Sequence, residues 1–98
     1  MGKYKEIEEI KKKILPVLKE YEVTKAGIFG SYARSEQKNN SDIDILIKID
    51  DKAGLIEIIR LKELLQKITK KKVDLVEYET IRKELREQIL NDEVRILQ

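Results

Sequence analysis

The chain has 98 residues, with 21 basic and 19 acidic side chains, no cysteine and no histidine. The lack of cysteine excludes a disulfide framework and a thiolate site, and the lack of histidine removes the commonest metal ligand and general base. Any metal site must therefore use oxygen ligands, which favours Mg²⁺, Mn²⁺ or Ca²⁺. The net charge of +2 does not indicate a dedicated nucleic-acid binder, so direct nucleic-acid binding is not expected.

The length predicts a single domain over residues 1–98, with room for one core but not for a separate substrate domain. A large substrate would then come from outside the chain. No run approaches the roughly 18 apolar residues that cross a bilayer, and the start of the chain is charged where a signal peptide would be apolar. We therefore expect a cytoplasmic protein without a membrane partner.

The first third of the chain predicts a helix followed by a strand. Apolar residues three and four positions apart predict an amphipathic helix over residues 3–20, which Pro16 is expected to kink or end early. Residues 22–29 are β-branched and apolar, and they predict a strand that stops at Gly30.

A polar loop and a second strand follow. The loop, residues 31–41, contains turn residues and has room for one short helix. Residues 42–49 alternate as a strand does, with four isoleucines on one face. The other face carries Asp42, Asp44, Leu46 and Lys48.

The remaining residues complete an alternating pattern of helices and strands. Asp50, Asp51 and Gly54 predict a turn, and Thr80 is expected to be the N-cap of the last helix. The predicted elements are a helix with a broad apolar face over 55–68, a strand over 72–78, a helix over 81–90 and a short strand over 93–97. This order predicts one α/β domain.

Two carboxylates share the polar face of the second strand. Asp42 and Asp44 are two residues apart, which places them roughly 6 to 7 Å apart on one face. Asp74 also interrupts an apolar strand and is the candidate for a third carboxylate beside them. Three such aspartates can hold two Mg²⁺ ions about 3.5 to 4 Å apart, an arrangement that supports in-line phosphoryl displacement.

A glycine-serine pair precedes these carboxylates. Gly30 and Ser31 follow a predicted strand, so their backbone N–H groups and the serine hydroxyl could cradle a phosphate chain. Combined with the aspartates, the pair predicts a site for a metal-bound nucleoside triphosphate.

Gly30-Ser31, ten intervening residues, Asp42-Ile43-Asp44 and a later Asp74 resemble the signature of the DNA polymerase β-like nucleotidyltransferases. More narrowly, the chain resembles the minimal nucleotidyltransferases (MNT type), which act in bacteria and archaea as MntA-type antitoxins beside a HEPN-domain toxin. Members commonly read Gly-Ser-x-Ala-Arg-Gly. Ala33 and Arg34 fit this pattern, and Ser35 stands where the family has glycine.

The resemblance implies a fold and an activity. The fold would be a small mixed β-sheet packed with helices, and the activity would be transfer of AMP from ATP to an acceptor hydroxyl, with release of pyrophosphate. In antitoxins of this kind the acceptor is a tyrosine of the partner toxin. Asp42 and Asp44 would bind Mg²⁺, Asp74 would be a shared ligand that helps to deprotonate the acceptor, and Gly30, Ser31 and Arg34 would bind the nucleotide.

Each motif also has a structural explanation. Asp42 could bond a loop amide, Asp44 could pair with a lysine, and Gly30-Ser31 could be an ordinary turn. Asp74 could pair with Lys71 or Lys72, and Arg34 with Glu36. Tyr32 could stack on a base or pack in the core.

Two other functions stay open at this stage. One is a non-catalytic module that binds a nucleotide or a partner, although three intact aspartates argue against it. The other is the catalytic subunit of a small-molecule nucleotidyltransferase, although such enzymes normally carry a helical substrate domain that this length does not allow.

Overall fold

The protein is built around a mixed four-stranded sheet. The computed structural model describes residues 3–50 and 52–98, so Asp51 of the predicted turn lies outside the described residues. The strands are β1 (Val23–Phe29), β2 (Ile43–Ile49), β3 (Val73–Glu77) and β4 (Val94–Leu97), in the spatial order β3-β2-β1-β4. β1 is antiparallel to β2 and β4, whereas β2 is parallel to β3. The predicted class, a mixed sheet packed with helices, is confirmed.

Helices cover both faces of the sheet unequally. The helices are α1 (Lys3–Glu20), α2 (Leu55–Thr69) and α3 (Lys83–Asp92), with a short 3₁₀ turn over Tyr78–Thr80. The main core lies between the sheet and the pair α1 and α2, and it contains Ile7, Ile14, Leu18, Ile28, Ile43, Ile45, Ile47, Leu61 and Leu65. A smaller cluster of Leu46, Tyr78 and Ile81 lies on the other face of the sheet.

The first helix continues through its proline. Pro16 lies inside α1, which ends at Glu20, so the prediction that the proline ends the helix early is wrong. Pro16 has no N–H to donate to the carbonyl of Lys12, and both residues are exposed. Ile14 and Leu18 on either side are fully buried, and their burial offsets the lost hydrogen bond.

The second helix buries less of its apolar surface than the sequence predicts. Only Leu61 and Leu65 are buried, while Leu55, Ile56 and Ile59 near its N-terminus are exposed. These three side chains are not part of the packed core. None of the helices in the described residues combines the length and the apolar composition that crossing a bilayer requires.

Two further details differ from the predictions because a 3₁₀ turn and α3 occupy the second face. Leu46, predicted on the polar face of its strand, is fully buried against Tyr78 and Ile81.

Thr80 is not an N-cap, because α3 begins only at Lys83. Its hydroxyl instead donates to the carbonyl of Glu77 at 3.0 Å within the 3₁₀ turn.

Candidate active site

Four chain segments meet at one edge of the sheet. Because β2 and β3 are parallel and β1 and β2 are antiparallel, the start of β2 lies beside the start of β3 and the end of β1. β4 is antiparallel to β1, with Val94 paired to Ile28, so α3 also ends at this edge. The predicted site residues come from these segments and from the loop after β1.

Asp44 and Asp74 are direct neighbours in the sheet. In the parallel pairing of β2 with β3, Asp44 is opposite Asp74, and adjacent strands are about 4.8 Å apart. Both side chains therefore lie on the same face of the sheet. Asp44 is half-buried and Asp74 is exposed. The topology thus places the two carboxylates side by side.

Asp42 lies just before β2, which begins at Ile43 rather than at Asp42 as the alternation predicts. Its side chain is exposed. Across residues 3–50 and 52–98, no three acidic side chains are arranged so as to hold a metal ion. Asp42, Asp44 and Asp74 therefore occupy one edge of the sheet without converging on a single point.

The environment of Asp44 disfavours its charged form. Burial, followed by the charges of Asp74 and Asp42, raises the pKa of Asp44 from 3.8 to about 6, against a smaller opposing effect of Arg34. A cation placed between these carboxylates would remove the repulsion and favour the ionised form.

The three carboxylates fit Mg²⁺ in their chemistry. All of them supply hard oxygen ligands, and among the described residues none of the three takes part in a salt bridge. Asp42 and Asp74 are exposed, so their side chains are free to change rotamer when an ion binds.

Gly30 closes the site next to Asp44. Its φ of +76° lies in the left-handed region that favours glycine. A Cβ added at Gly30 would overlap the carboxylate of Asp44 and would lie 3.0 Å from its Cγ. Glycine is therefore needed here both for its backbone conformation and for the space it leaves to the carboxylate.

The loop after Gly30 is a compact turn, and the short helix predicted there is not formed. The N–H of Arg34 donates to the carbonyl of Gly30 at 3.1 Å, and that of Glu36 donates to the carbonyl of Ser31 at 2.8 Å. Ser35 has a φ of 59° and donates its N–H to the carbonyl of Tyr32. These two hydrogen bonds, from Ser35 and Glu36, are those that usually close the C-terminus of a helix. In that motif the left-handed position, here Ser35, normally holds glycine, which explains the family preference at position 35.

Two of the structural explanations are not supported by the contacts. Lys71 donates its ammonium to the carbonyl of Asn39 at 3.0 Å rather than to Asp74. The loop amide of Lys38 donates to the hydroxyl of Ser41 at 2.7 Å, so the serine, not Asp42, provides that contact.

The structure also decides between the alternatives for Tyr32 and for Arg34. Tyr32 is 2% exposed and packs in the core, so it does not present its ring to a base. Arg34 does form the ion pair with Glu36, at 3.0 Å.

Arg34 also pairs with Asp92 at 3.3 Å, a contact that the sequence analysis missed. The hydrogen bonds to Glu36 and then to Asp92 raise the pKa of Arg34 above its ordinary value, so the guanidinium stays charged. The sequence carries one signal for this contact, the acidic pair Asp92-Glu93 at the end of the last helix, where the helix dipole disfavours carboxylates.

A second polar cluster lies on the same face, farther from the edge. Tyr78 donates to Glu93, Arg95 donates to the same carboxylate at 2.9 Å, and the ammonium of Lys25 lies 4.5 Å from the centre of the Tyr78 ring. Gly27 leaves room for Glu93, because a Cβ there would overlap it. Burial and the Glu93 bond raise the pKa of Tyr78, so this hydroxyl is a poor nucleophile.

A cavity of about 270 Å³ lies elsewhere, between α1 and the loop. Glu6, Lys13, Gln37 and Ile43 are among its lining residues, but Gly30, Arg34, Asp42, Asp44 and Asp74 are not. At the sheet edge that carries Asp42, Asp44 and Asp74 (the carboxylate edge), Asp42 and Asp74 are exposed.

The family model for "Polymerase beta, Nucleotidyltransferase" matches residues 12–98. The chain belongs to this nucleotidyltransferase family, which confirms the predicted family and the expectation of an enzyme that transfers a nucleotidyl group.

Three similar proteins support this assignment. The chain is 46% identical over 91 residues to "Putative protein adenylyltransferase MJ0435" of Methanocaldococcus jannaschii, covering 93% of this chain and 98% of that protein. It is 34% identical over 74 residues to "Protein adenylyltransferase MntA" of Thermococcus cleftensis, covering 76% and 75% of the two. A solved toxin–antitoxin structure with AMP-PNP aligns with a TM-score of 0.77 and 27% identity, over 88% of this chain and 71% of that chain.

Proposed function

We propose that the protein is a Mg²⁺-dependent protein adenylyltransferase that moves AMP from ATP to a tyrosine hydroxyl of a HEPN-type toxin and so acts as its antitoxin in the cytoplasm. The observation that carries the proposal is the placement of Asp44 directly beside Asp74, with Gly30 closing the site. The relatives named as protein adenylyltransferases support a protein acceptor, and the toxin–antitoxin neighbour with AMP-PNP supports ATP and a partner toxin.

The transfer is an in-line displacement at the α-phosphorus of ATP. The acceptor oxygen forms a bond to this phosphorus, and the bond from phosphorus to the bridging oxygen of the β-phosphate breaks. Pyrophosphate leaves with the electron pair, and the acceptor proton passes to a base. Mg²⁺, when bound, supplies positive charge that stabilises the attacking and leaving oxygens.

The side chains have separate tasks in this scheme. Asp42, Asp44 and Asp74 would hold Mg²⁺, two ions in the full arrangement. Asp74 is exposed beside Asp44, so it also takes the proton of an arriving hydroxyl. Gly30 and Ser31 approach the phosphates with their backbone and hydroxyl groups, and Arg34 contributes a charged hydrogen-bond donor.

An external acceptor agrees with the exposure of the site. Asp42 and Asp74 are exposed, and the relative from Methanocaldococcus jannaschii, also named as a protein adenylyltransferase, matches this chain over 98% of its length. A helical substrate domain of the kind used by small-molecule transferases has no counterpart in the described residues.

The test is label transfer from α-labelled ATP with Mg²⁺ into protein in a lysate of the source cells. The wild type is compared with Asp42→Asn/Asp44→Asn. Asp50→Asn, which changes an exposed aspartate at the far end of β2, is the matched control. We expect a labelled protein with the wild type and Asp50→Asn but not with the double variant. No label from any of the four nucleotides, despite folded protein, would contradict the proposal and favour a binding module.

A further inference from the structure

Two carboxylates share the guanidinium of Arg34. Its Nε donates to Oε1 of Glu36 at 3.0 Å, and its NH1 group donates to Oδ2 of Asp92 at 3.3 Å. Glu36 lies in the same loop, whereas Asp92 is the last residue of α3 and 58 positions away in sequence. The contact therefore ties the loop after β1 to the end of α3, beside the carboxylate edge.

The position of Asp92 is unfavourable for the helix itself. The C-terminus of a helix carries a partial negative charge, so a carboxylate in the last turn is repelled and a basic side chain is favoured. α3 has no basic residue in its last turn. The ion pair with Arg34 is a contact outside the helix that offsets this repulsion.

The two ion pairs leave part of the guanidinium available. Arginine has five N–H donors in a planar fork, and the contacts within the described residues use Nε and NH1. The NH2 group has no hydrogen-bond partner there. The Arg34 side chain is 41% exposed, and the N–H of Arg34 donates to the carbonyl of Gly30, which lies against the Asp44 carboxylate. Arg34 therefore lies beside the carboxylates.

We infer that Asp92 is a positioning residue for nucleotide binding: it fixes the plane of the Arg34 guanidinium so that the NH2 group donates to a phosphate oxygen of the nucleoside triphosphate. This inference rests on the proposed function, because it takes a nucleoside triphosphate as the ligand of the site. Glu36 holds the same guanidinium from the loop, but Asp92 ties it to a separate element. The position of α3 thereby sets the affinity for the nucleotide.

The experiment measures the Kd of AMP-PNP with Mg²⁺ by titration calorimetry. Asp92→Asn keeps the shape of the side chain and removes its charge. Glu87→Gln makes the matching change at an exposed position of α3 that forms no ion pair within the described residues. We expect Asp92→Asn to weaken binding about 3- to 10-fold, the scale of one ordinary hydrogen bond, because the Arg34–Asp92 pair is partly exposed and screened by water. Glu87→Gln should bind like the wild type.

A double-mutant cycle separates positioning from a structural role. In an Arg34→Ala background, where no guanidinium remains to be positioned, Asp92→Asn should cause no further loss of affinity. Asp92→Glu should recover part of the affinity in the wild-type background. Thermal unfolding should show Asp92→Asn to be as stable as the wild type or slightly more stable, because the dipole repulsion is gone.

Several results would overturn the inference. Unchanged binding by Asp92→Asn would do so, as would an equal loss in the presence and absence of Arg34. Tighter binding would show that Asp92 competes with the phosphate instead of positioning Arg34.

Failure of the inference can be distinguished from failure of the proposed function. AMP-PNP binding with the expected cycle but no label transfer would refute only the function, and label transfer with an unaffected Kd would refute only the inference.

Discussion

Removal of the Asp44 charge should stabilise the protein above pH 6 and have no effect in acid. Asp44 ionises with an ordinary pKa of 3.8 in the unfolded chain and with a pKa of about 6 in the folded protein. Below about pH 3.8 both states carry the neutral acid. As the pH rises from 3.8 through 6, Asp44 in the folded protein must ionise, although burial and the charges of Asp74 and Asp42 disfavour its charged form. The free energy of unfolding therefore falls over this range. The asparagine in the variant Asp44→Asn does not ionise at any pH, so this variant avoids that loss.

The size of the effect follows from the two pKa values. Each pKa unit corresponds to about 1.4 kcal/mol, so the displacement from 3.8 to about 6 sets an upper limit of about 3 kcal/mol. Asp44 is only half-buried, and water screens part of the repulsion. We therefore expect Asp44→Asn to raise the free energy of unfolding by about 1 to 2 kcal/mol at pH 7.5.

Urea unfolding followed by far-UV circular dichroism, in buffer with EDTA, measures this difference at several pH values. The difference between Asp44→Asn and the wild type should shrink to about zero near pH 3.5. Asp50→Asn, at an exposed aspartate, should stay within about 0.5 kcal/mol of the wild type. Added Mg²⁺ should stabilise the wild type but not Asp44→Asn. A destabilised Asp44→Asn at pH 7.5, or a difference that grows in acid, would refute the reasoning.

Substitutions at three further positions test other parts of the structure by urea unfolding. Gly30→Ala forces a left-handed conformation on alanine and overlaps Asp44, so we expect a loss of about 1 to 3 kcal/mol, and unchanged stability would contradict the observed turn. Ser35→Gly relieves a φ of 59° and should gain about 0.5 to 1 kcal/mol, whereas Ser35→Ala should gain nothing; equal effects would argue against left-handed strain. Tyr78→Phe removes the donor to Glu93, whose side chain is 5% exposed, and should cost about 1 to 3 kcal/mol. A cost below about 0.5 kcal/mol would show that Arg95 alone satisfies this carboxylate.

The order of elements could be predicted from the sequence because its hydrophobic periods are strong. The isoleucines that alternate along β2 are buried as their period indicates, and so are Ile7, Ile10, Ile14 and Leu18 along α1. The family resemblance and the nucleotidyltransferase class are confirmed by the family match. The catalytic and metal-binding roles of Asp42, Asp44 and Asp74 stay predictions, although the sheet brings Asp74 next to Asp44.

The errors arose where contacts distant in sequence decide the outcome. Alternation places Leu46 on the polar face of β2, but it could not show that the turn at Tyr78 and Ile81 would cover that residue. Periodicity gives α2 a broad apolar face, but it could not show that Ile59 would lie beyond the core. The pairing of Arg34 with Asp92 joins residues 58 positions apart, and no local pattern reports such a contact.

The most direct test of the central claim is to find which phosphate of ATP reaches the partner and which side chain accepts it. The protein labelled in the lysate would be purified and its modified peptide sequenced by mass spectrometry, in parallel reactions with α-labelled and γ-labelled ATP. The account predicts label from α-labelled ATP only, and a mass increase of one AMP residue on a tyrosine. Label from γ-labelled ATP would mean phosphorylation, and modification of the chain's own residues without a partner would mean self-modification. Either result would contradict the account.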